Sequence, residues 1–360
     1  MKWFFVLGRN PELSRLEVLS YLVARKRSHT EILFEENLLV IKTNDGEEFD
    51  IQEFGGVLKL GEIEFEGGHK DFLKFLGSKE LIPSDKFTYA AFGNYALDDI
   101  KEKFKRGRKK GILKHGRRQV TMQSGDKVNL ATNADFSIFL HEVSGVIYYG
   151  LGNQEYGYKD VVKRDMKKPV RREELAISPR LCKILINLSG VKSRDLLLDP
   201  FVGVGAVISE AILKGINVYG SDISKDAIEG AEKNIAWLKE NYSVSSRIAL
   251  KQMDAKKIPD MQWAGIATET PLGKLLKKKP KDSEAQKIIQ DFEAFIIPIL
   301  RRLQKTKKSA AKIAITFPKI RNFHVDVDKI AEKCGLKILA GPIEESRPDQ
   351  FIGRDIIVFV

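Results

Sequence analysis

Residues 196–224, LLLDPFVGVGAVISEAILKGINVYGSDIS, place two carboxylates around a glycine-rich turn. Asp199 and Pro200 begin D-P-F-x-G-x-G, in which Gly203 and Gly205 let the backbone pass close to a ligand where a Cβ would clash. Asp222 follows Gly203 by 19 residues, about the spacing at which an acid ending the next strand meets the hydroxyls of a ribose. That is the pattern of an adenosine site. A dinucleotide turn would carry a third Gly or Ala where Ile208 stands. A carboxylate at Asp199 would repel a pyrophosphate, yet it would accept a hydrogen bond from an ammonium group. S-adenosylmethionine therefore suits these residues better than NAD, with Asp199, Pro200, Phe201, Gly203, Gly205, Asp222 and Ile223 as the binding residues. A glycine turn in an α/β fold without a ligand is the plainer alternative.

For those residues to meet, 196–198 must be a buried strand, 207–213 a helix and 218–222 the next strand. The pattern continues regularly from Ser178. Helices are predicted at 179–189, 225–241, 283–304 and 325–334, and strands at 246–252, 263–268, 311–316, 336–341 and 354–360. Strands alternating with helices imply a parallel sheet covered on both faces. Two strands with no helix between them close the chain as an antiparallel hairpin. That is the plan of a class I (Rossmann-like) methyltransferase domain with a seven-stranded sheet, not of a dehydrogenase.

The first half reads as α+β. Residues 2–7 form a strand and 11–24 an amphipathic helix begun at Asn10. Further strands are expected within 32–42 and 57–64, and a short helix at 68–76. A second α/β unit starts near Phe87, with a helix at 98–105 and strands near 118–122, 126–131 and 146–151. Three segments follow: an N-terminal region at 1–151, a polar linker at 152–177 and a catalytic module at 178–360.

Net charge is +12, and its placement carries more information than its size. Residues 1–99 hold 12 Lys/Arg against 18 Asp/Glu, whereas 101–118, KEKFKRGRKKGILKHGRR, hold 10 basic residues and one acid. Residues 151–360 hold 38 basic against 27 acidic. Arginine forks suit phosphates. With glycines punctuating the run, Lys105, Arg106, Arg108, Lys109, Lys110, Arg117 and Arg118, together with Arg164, are expected to meet a polyanion such as nucleic acid. A solvated face is the other reading of such a run. Cys182 and Cys334 cannot make a zinc site, His115, His141 and His324 have no ligand spacing, and no metal is expected. No stretch reaches the length of a membrane span, and MKWFFVL is too short for a signal peptide, so a cytoplasmic protein, a monomer, is expected.

Taken in order, these segments resemble the THUMP-containing tRNA (guanine-N2)-methyltransferases of the archaeal position-10 type and their bacterial relatives. The opening FVLGRNPELSRLEV (5–18), the linker YGYKDVVKRDMKKPVRREELAISPRLCKILINLSG (156–190), DPFVGVGA (199–206) and GSDIS (220–224) carry the likeness. Arg164, Asp165 and Pro169 match the R-D-x-x-x-P linker motif. The resemblance implies an N-terminal ferredoxin-like, THUMP-type region that holds tRNA. It also implies a C-terminal domain that methylates the exocyclic N2 amine of a guanosine with S-adenosylmethionine. Asp254, in KQMDAKKIP, resembles the acid that accepts a hydrogen bond from the adenine amine, and a bare Asp-Ala after a strand is equally common.

After the fourth strand that family carries D-P-P-Y-G or E-P-Y-L-G, where this chain has ATETPLGK at 267–274. Glu269, Pro271 and Gly273 are the catalytic residues the resemblance implies; Leu272 stands at the aromatic position and Thr270 at that of a proline. An exocyclic amine has its lone pair delocalised into the ring, so an enzyme must aim it and accept its hydrogen bonds. Phe317, in ITFPK, is a candidate ring to stack on the base in place of the missing aromatic. With Glu269 as a plain surface acid, the alternative is a catalytically weak or inactive paralogue acting as a tRNA-binding module. No motif decides whether a small activating subunit is needed.

Overall fold

The computed structural model describes the chain except residues 45, 47, 115–118, 122–126, 130–133, 153, 155, 172–176, 273–278 and 346–350, and for 119–121 and 127–129 the backbone alone. It divides into two compact units. Met1–Arg15 and Lys26–Tyr158 form the first, and Leu16–Arg25 and Lys159–Val360 the second.

In chain order the first half runs β1 (Lys2–Leu7), α1 (Pro11–Ala24), β2 (His29–Glu35), β3 (Leu38–Thr43), β4 (Val57–Gly67), α2 (His69–Ser78), β5 (Lys86–Phe92), α3 (Asp98–Arg106), β6 (Lys110–Leu113), β7 (Gln119–Thr121), β8 (Lys127–Asn129), β9 (Phe136–Val143) and β10 (Val146–Gly152). Among the described residues, one eight-stranded sheet of order β2-β3-β1-β4-β10-β9-β5-β6 holds all but β7 and β8, which pair with each other. The antiparallel members put alternate aromatics on opposite faces, the period-two consequence of strand geometry. Phe4 stacks on Phe139 in one cluster, while Phe72, Phe87, Tyr89, Phe104 and Tyr149 fill another, beneath α2 and α3. Asn10 begins α1 as expected, its Oδ1 accepting from the Leu13 N–H at 3.2 Å. Two strands here went unforeseen, β6 inside the lysine-rich run and β9.

The second half runs α4 (Tyr158–Met166), α5 (Pro179–Leu188), β11 (Leu196–Asp199), α6 (Ala206–Leu213), β12 (Asn217–Asp222), α7 (Lys225–Asn241), β13 (Ile248–Gln252), β14 (Gly265–Glu269), α8 (Asp282–Thr306), β15 (Ile313–Ile320), α9 (Val327–Cys334), β16 (Ile338–Glu345) and β17 (Ile352–Phe359). The polar stretch 152–177, expected as a linker, contains α4. Strand order is β13-β12-β11-β14-β15-β17-β16. The first five are parallel, and β17 enters antiparallel between β15 and β16. This is the α/β sheet the alternation predicts, closing hairpin included. Central strands buried on both faces need continuous apolar runs, which Leu197–Leu198 and Ile313–Ile315 supply. Helices start where the sequence offers caps: Ser178 accepts from Leu181 N–H ahead of Pro179, and Ser224 accepts from Ala227 N–H.

Candidate functional site

β11, β12 and β14 all end in a carboxylate, so Asp199, Asp222 and Glu269 gather at the carboxyl edge of the parallel strands, where the crevice of such a sheet lies. The glycine turn joins β11 to α6. Gly205 is its last residue, with φ +88° at the N-cap of α6, and Gly203 has φ +52°; both conformations are rare for residues bearing a Cβ. Asp222 holds the turn from below. Its Oδ2 accepts from Gly203 N–H at 3.0 Å and its Oδ1 from Ser224 N–H at 2.9 Å. Beside it Ile223 is 71% exposed, an apolar side chain left facing solvent. Asp254 caps the short turn Ala255–Lys257, accepting from Lys256 N–H at 2.9 Å. The preceding Met253 N–H donates to Asp222 O at 2.8 Å, which brings the ends of β12 and β13 together.

Asp199 is 1% exposed. Its Oδ1 accepts from Phe201 N–H at 3.1 Å and from the Thr268 hydroxyl at 2.5 Å. Burial still pushes its carboxyl up to about 7, and the nearby Asp222 and Glu269 carboxylates act in the same direction against those two hydrogen bonds. Pro200 is buried and Phe201 half-buried, with its ring 5.8 Å from that of Phe295 on α8.

Glu269 is no plain surface acid. Its Oε1 accepts from Arg354 Nε at 2.5 Å, and that arginine, in β17, is 2% exposed. Register explains the meeting: β14 lies beside β15, where Glu269 faces Thr316, and β17 lies on the far side of β15, where Arg354 faces Pro318. The next residue, Asp355, accepts from His324 at 2.7 Å. Arg354 was not foreseen as part of the site, yet a signal existed: an Arg-Asp pair inside the largely apolar FIGRDIIVFV is costly to bury unless each charge finds a partner. Thr268 was missed as well. After Glu269, Thr270 is buried and donates to Thr316 O at 2.6 Å, and Pro271 is exposed. Gly273, expected to shape the backbone there, lies outside the described residues.

The expectation about base stacking fails. Phe317 lies within β15, not after it, and is 0% exposed, edge-on to Phe292 with centroids 5.3 Å apart. It cannot receive a base. Leu272 is 4% exposed and belongs to the same core as Ile289 and Phe292. A tyrosine there would overpack that core and would present no ring to a ligand. Leu272→Tyr should therefore lower the stability of the protein by about 1–3 kcal/mol, read as a lower urea midpoint at constant slope. A midpoint at or above that of the parent would show that the loop yields.

Comparison with known proteins fits this geometry. Residues 169–313 match the family UPF0020, described as the RMKL-like methyltransferase domain. The second unit carries a methyltransferase domain. Two relatives named tRNA (guanine(10)-N2)-dimethyltransferase align with part of the chain. That of Pyrococcus abyssi is 33% identical over 131 residues (35% of this chain, 38% of the relative), and that of Methanothermobacter thermautotrophicus 31% identical over 118 residues (32% and 33%). The chain thus spans about a third of the length of these relatives. The crystal structure of TrmN from Thermus thermophilus superposes with a TM-score of 0.52 at 14% identity, covering 100% of this chain and 99% of that one, which shows a shared fold.

In the second unit Arg164 does not face outward as expected of a phosphate contact. Its Nε and Nη2 donate to the buried Glu210 of α6 at 2.7 and 3.1 Å, so the fork is occupied inside the chain. In the first unit Lys109 departs similarly: its ammonium donates to Ile82 O at 2.5 Å and pairs with Glu80 at 2.6 Å, holding that carboxyl below the usual range. Arg106 pairs with Glu102 one turn earlier at 2.5 Å and remains exposed, as do Lys105, Arg108 and Lys110. Arg117 and Arg118 lie outside the described residues. Among the described residues no cluster of His, Cys, Asp and Glu could hold a metal ion, and no helix is long and apolar enough to cross a membrane.

Proposed function

We propose that this protein transfers a methyl group from S-adenosylmethionine to the exocyclic N2 amine of a guanosine in tRNA. The observation that carries the reading is the convergence of Asp199, Asp222 and Glu269 at one sheet edge around a left-handed glycine turn. The names of the relatives supply the substrate class.

The residues fit the cofactor. Each Asp222 oxygen accepts one backbone N–H, and a carboxylate oxygen has a second lone pair for a ribose hydroxyl. Ile223 offers its exposed surface to the adenine face, and Asp254 stands beside that edge for the adenine amine. Asp199, buried with a raised pKa, is a carboxyl that gains its charge when a cation such as the methionine ammonium arrives. Pro200, Phe201, Gly203 and Gly205 shape the turn around these groups. When bound, the cofactor supplies an electrophilic methyl group, so the protein has no covalent chemistry to perform.

Glu269 then orients the target amine. Arg354 fixes the carboxylate in place, and the carboxylate accepts an N–H of the base so that the amine lone pair points along the transfer line. As the nitrogen becomes cationic, that charge-assisted hydrogen bond strengthens, and the proton on the nitrogen leaves to solvent. Pro271 and Gly273 shape the backbone around the base. Lys105, Arg106, Arg108 and Lys110 are the phosphate contacts this reading keeps, and a tRNA substrate places the protein in the cytoplasm.

Mass spectrometry of nucleosides from tRNA incubated with the protein and labelled cofactor tests the reading. N2-methylated guanosine carrying the label is expected. No transfer, despite measurable binding of cofactor and tRNA, would make the protein a tRNA-binding module. Asp222→Ala removes both ribose acceptors and should weaken S-adenosylhomocysteine binding by about 1.5–3 kcal/mol in calorimetry. Unchanged affinity would overturn the cofactor assignment.

A further inference from the structure

Residues 164–170 precede the adenosine site in sequence, yet they are fastened to the glycine turn and to the helix that follows it. Arg164 holds Glu210 of α6 with two hydrogen bonds. Val170 N–H donates to Asn234 Oδ1 at 2.9 Å, and Asn234 Nδ2 donates both to Val170 O at 2.9 Å and to Val204 O at 2.8 Å. Asn234, on α7, is buried. Val204 is the residue between the two glycines of the turn. One turn back on α7, a Cβ at Gly230 would stand 3.1 Å from Val170 Cγ1 and 3.2 Å from Val204 Cγ1, so the linker and the turn meet over the bare backbone of that residue.

A single buried amide therefore ties the central carbonyl of the turn to the linker, with both donors and its oxygen engaged. We propose that Asn234 is a positioning residue for the cofactor turn and that residues 164–170 are its brace. This rests on the reading of that turn as an S-adenosylmethionine site. Two glycines in left-handed conformations are intrinsically free to leave them, and no side chain of their own restrains them. Beyond the turn's own bond from Gly205 N–H to Val202 O at 2.8 Å, the restraint comes from Asn234 on the Val204 carbonyl and from Asp222 on Gly203 N–H.

Asn234→Asp keeps the shape and the acceptor for Val170 N–H, while it sets an oxygen against two carbonyls. Gly230→Ala leaves every hydrogen-bonding group in place and pushes Val170 and Val204 apart; since alanine favours helix over glycine, α7 itself is not weakened. In both variants the Kd for S-adenosylhomocysteine should rise roughly tenfold, the scale of one or two lost hydrogen bonds. The amides of 203 and 205 in the ligand-free protein should exchange hydrogen faster while those of β11 and β15 stay protected. The KM for the cofactor should rise with kcat at saturation unchanged. If Asn234→Asp fails to fold, Gly230→Ala decides. Parental Kd and parental exchange at the turn in Gly230→Ala would overturn the brace. Should the parent itself not bind S-adenosylhomocysteine, the cofactor reading falls, and the exchange measurement still decides whether linker and turn are coupled.

Discussion

Replacing Glu269 by Gln should lower the single-turnover rate of methyl transfer to unmodified tRNA on the order of a hundredfold, while S-adenosylhomocysteine affinity stays within about twofold. Glutamine keeps an acceptor oxygen of nearly the same reach, so the base still docks. What it loses is the negative charge that strengthens the hydrogen bond as the target nitrogen becomes cationic, an interaction made mainly in the transition state. Arg354→Ala should produce a comparable rate loss by a different route. Glu269 would then keep its charge in a largely buried position without the guanidinium that holds it, which should also destabilise the fold by about 3 kcal/mol. Both variants break a buried pair, since glutamine withdraws the carboxylate charge that faces the buried Arg354, so both should melt below the parent and the rates are compared on protein shown to be folded. Equal rates for parent and Glu269→Gln would remove this residue from the mechanism.

Asp199→Asn should flatten part of the pH dependence of stability. In the unfolded chain an aspartate titrates near 3.9, and in the fold burial pushes Asp199 up to about 7. The folded state binds this proton more tightly, so the contribution of Asp199 is fully present below about pH 4. It is lost as pH rises through about 7, for a total of roughly 4 kcal/mol over that window. An asparagine cannot titrate, and its Oδ1 still accepts from Phe201 N–H and the Thr268 hydroxyl. Relative to the parent, the variant should gain urea resistance steadily from pH 4 to pH 8 and lose affinity for ligands with an ammonium group. A constant difference between the two across that range would mean that Asp199 is ionised in the fold throughout.

Legibility from sequence followed the separation of the interacting residues. The β11–turn–α6–β12 unit was readable because its signals are local: an apolar run, two glycines and the acid Asp222 that ends the next strand. The closing hairpin was readable from the lack of a helix between its strands. The Glu269–Arg354 pair was not, since the partners lie 85 residues apart and meet only through the antiparallel register of β17 against β15. Phe317 was misplaced by a boundary: β15 continues to Ile320, which turns a residue beyond the strand into a core residue. Arg164 and Lys109 were misread because charge alone does not say whether a buried carboxylate or a backbone carbonyl already claims it. α4 was hidden by polar composition, because its apolar contribution is little more than Val161.

The second unit is interrupted in sequence, since Leu16–Arg25, which take in the later part of α1, belong to it together with Lys159–Val360. Within it the buried Glu17 accepts from Asn187 Nδ2 at 2.8 Å. A gene fragment encoding the later stretch alone would specify a domain with a piece missing and a buried amide deprived of that acceptor, a loss of about 1–3 kcal/mol. A segment beginning at Lys159 and moved to a new N-terminal companion would therefore need a substitute for those ten residues, with an acceptor for Asn187 as the first requirement.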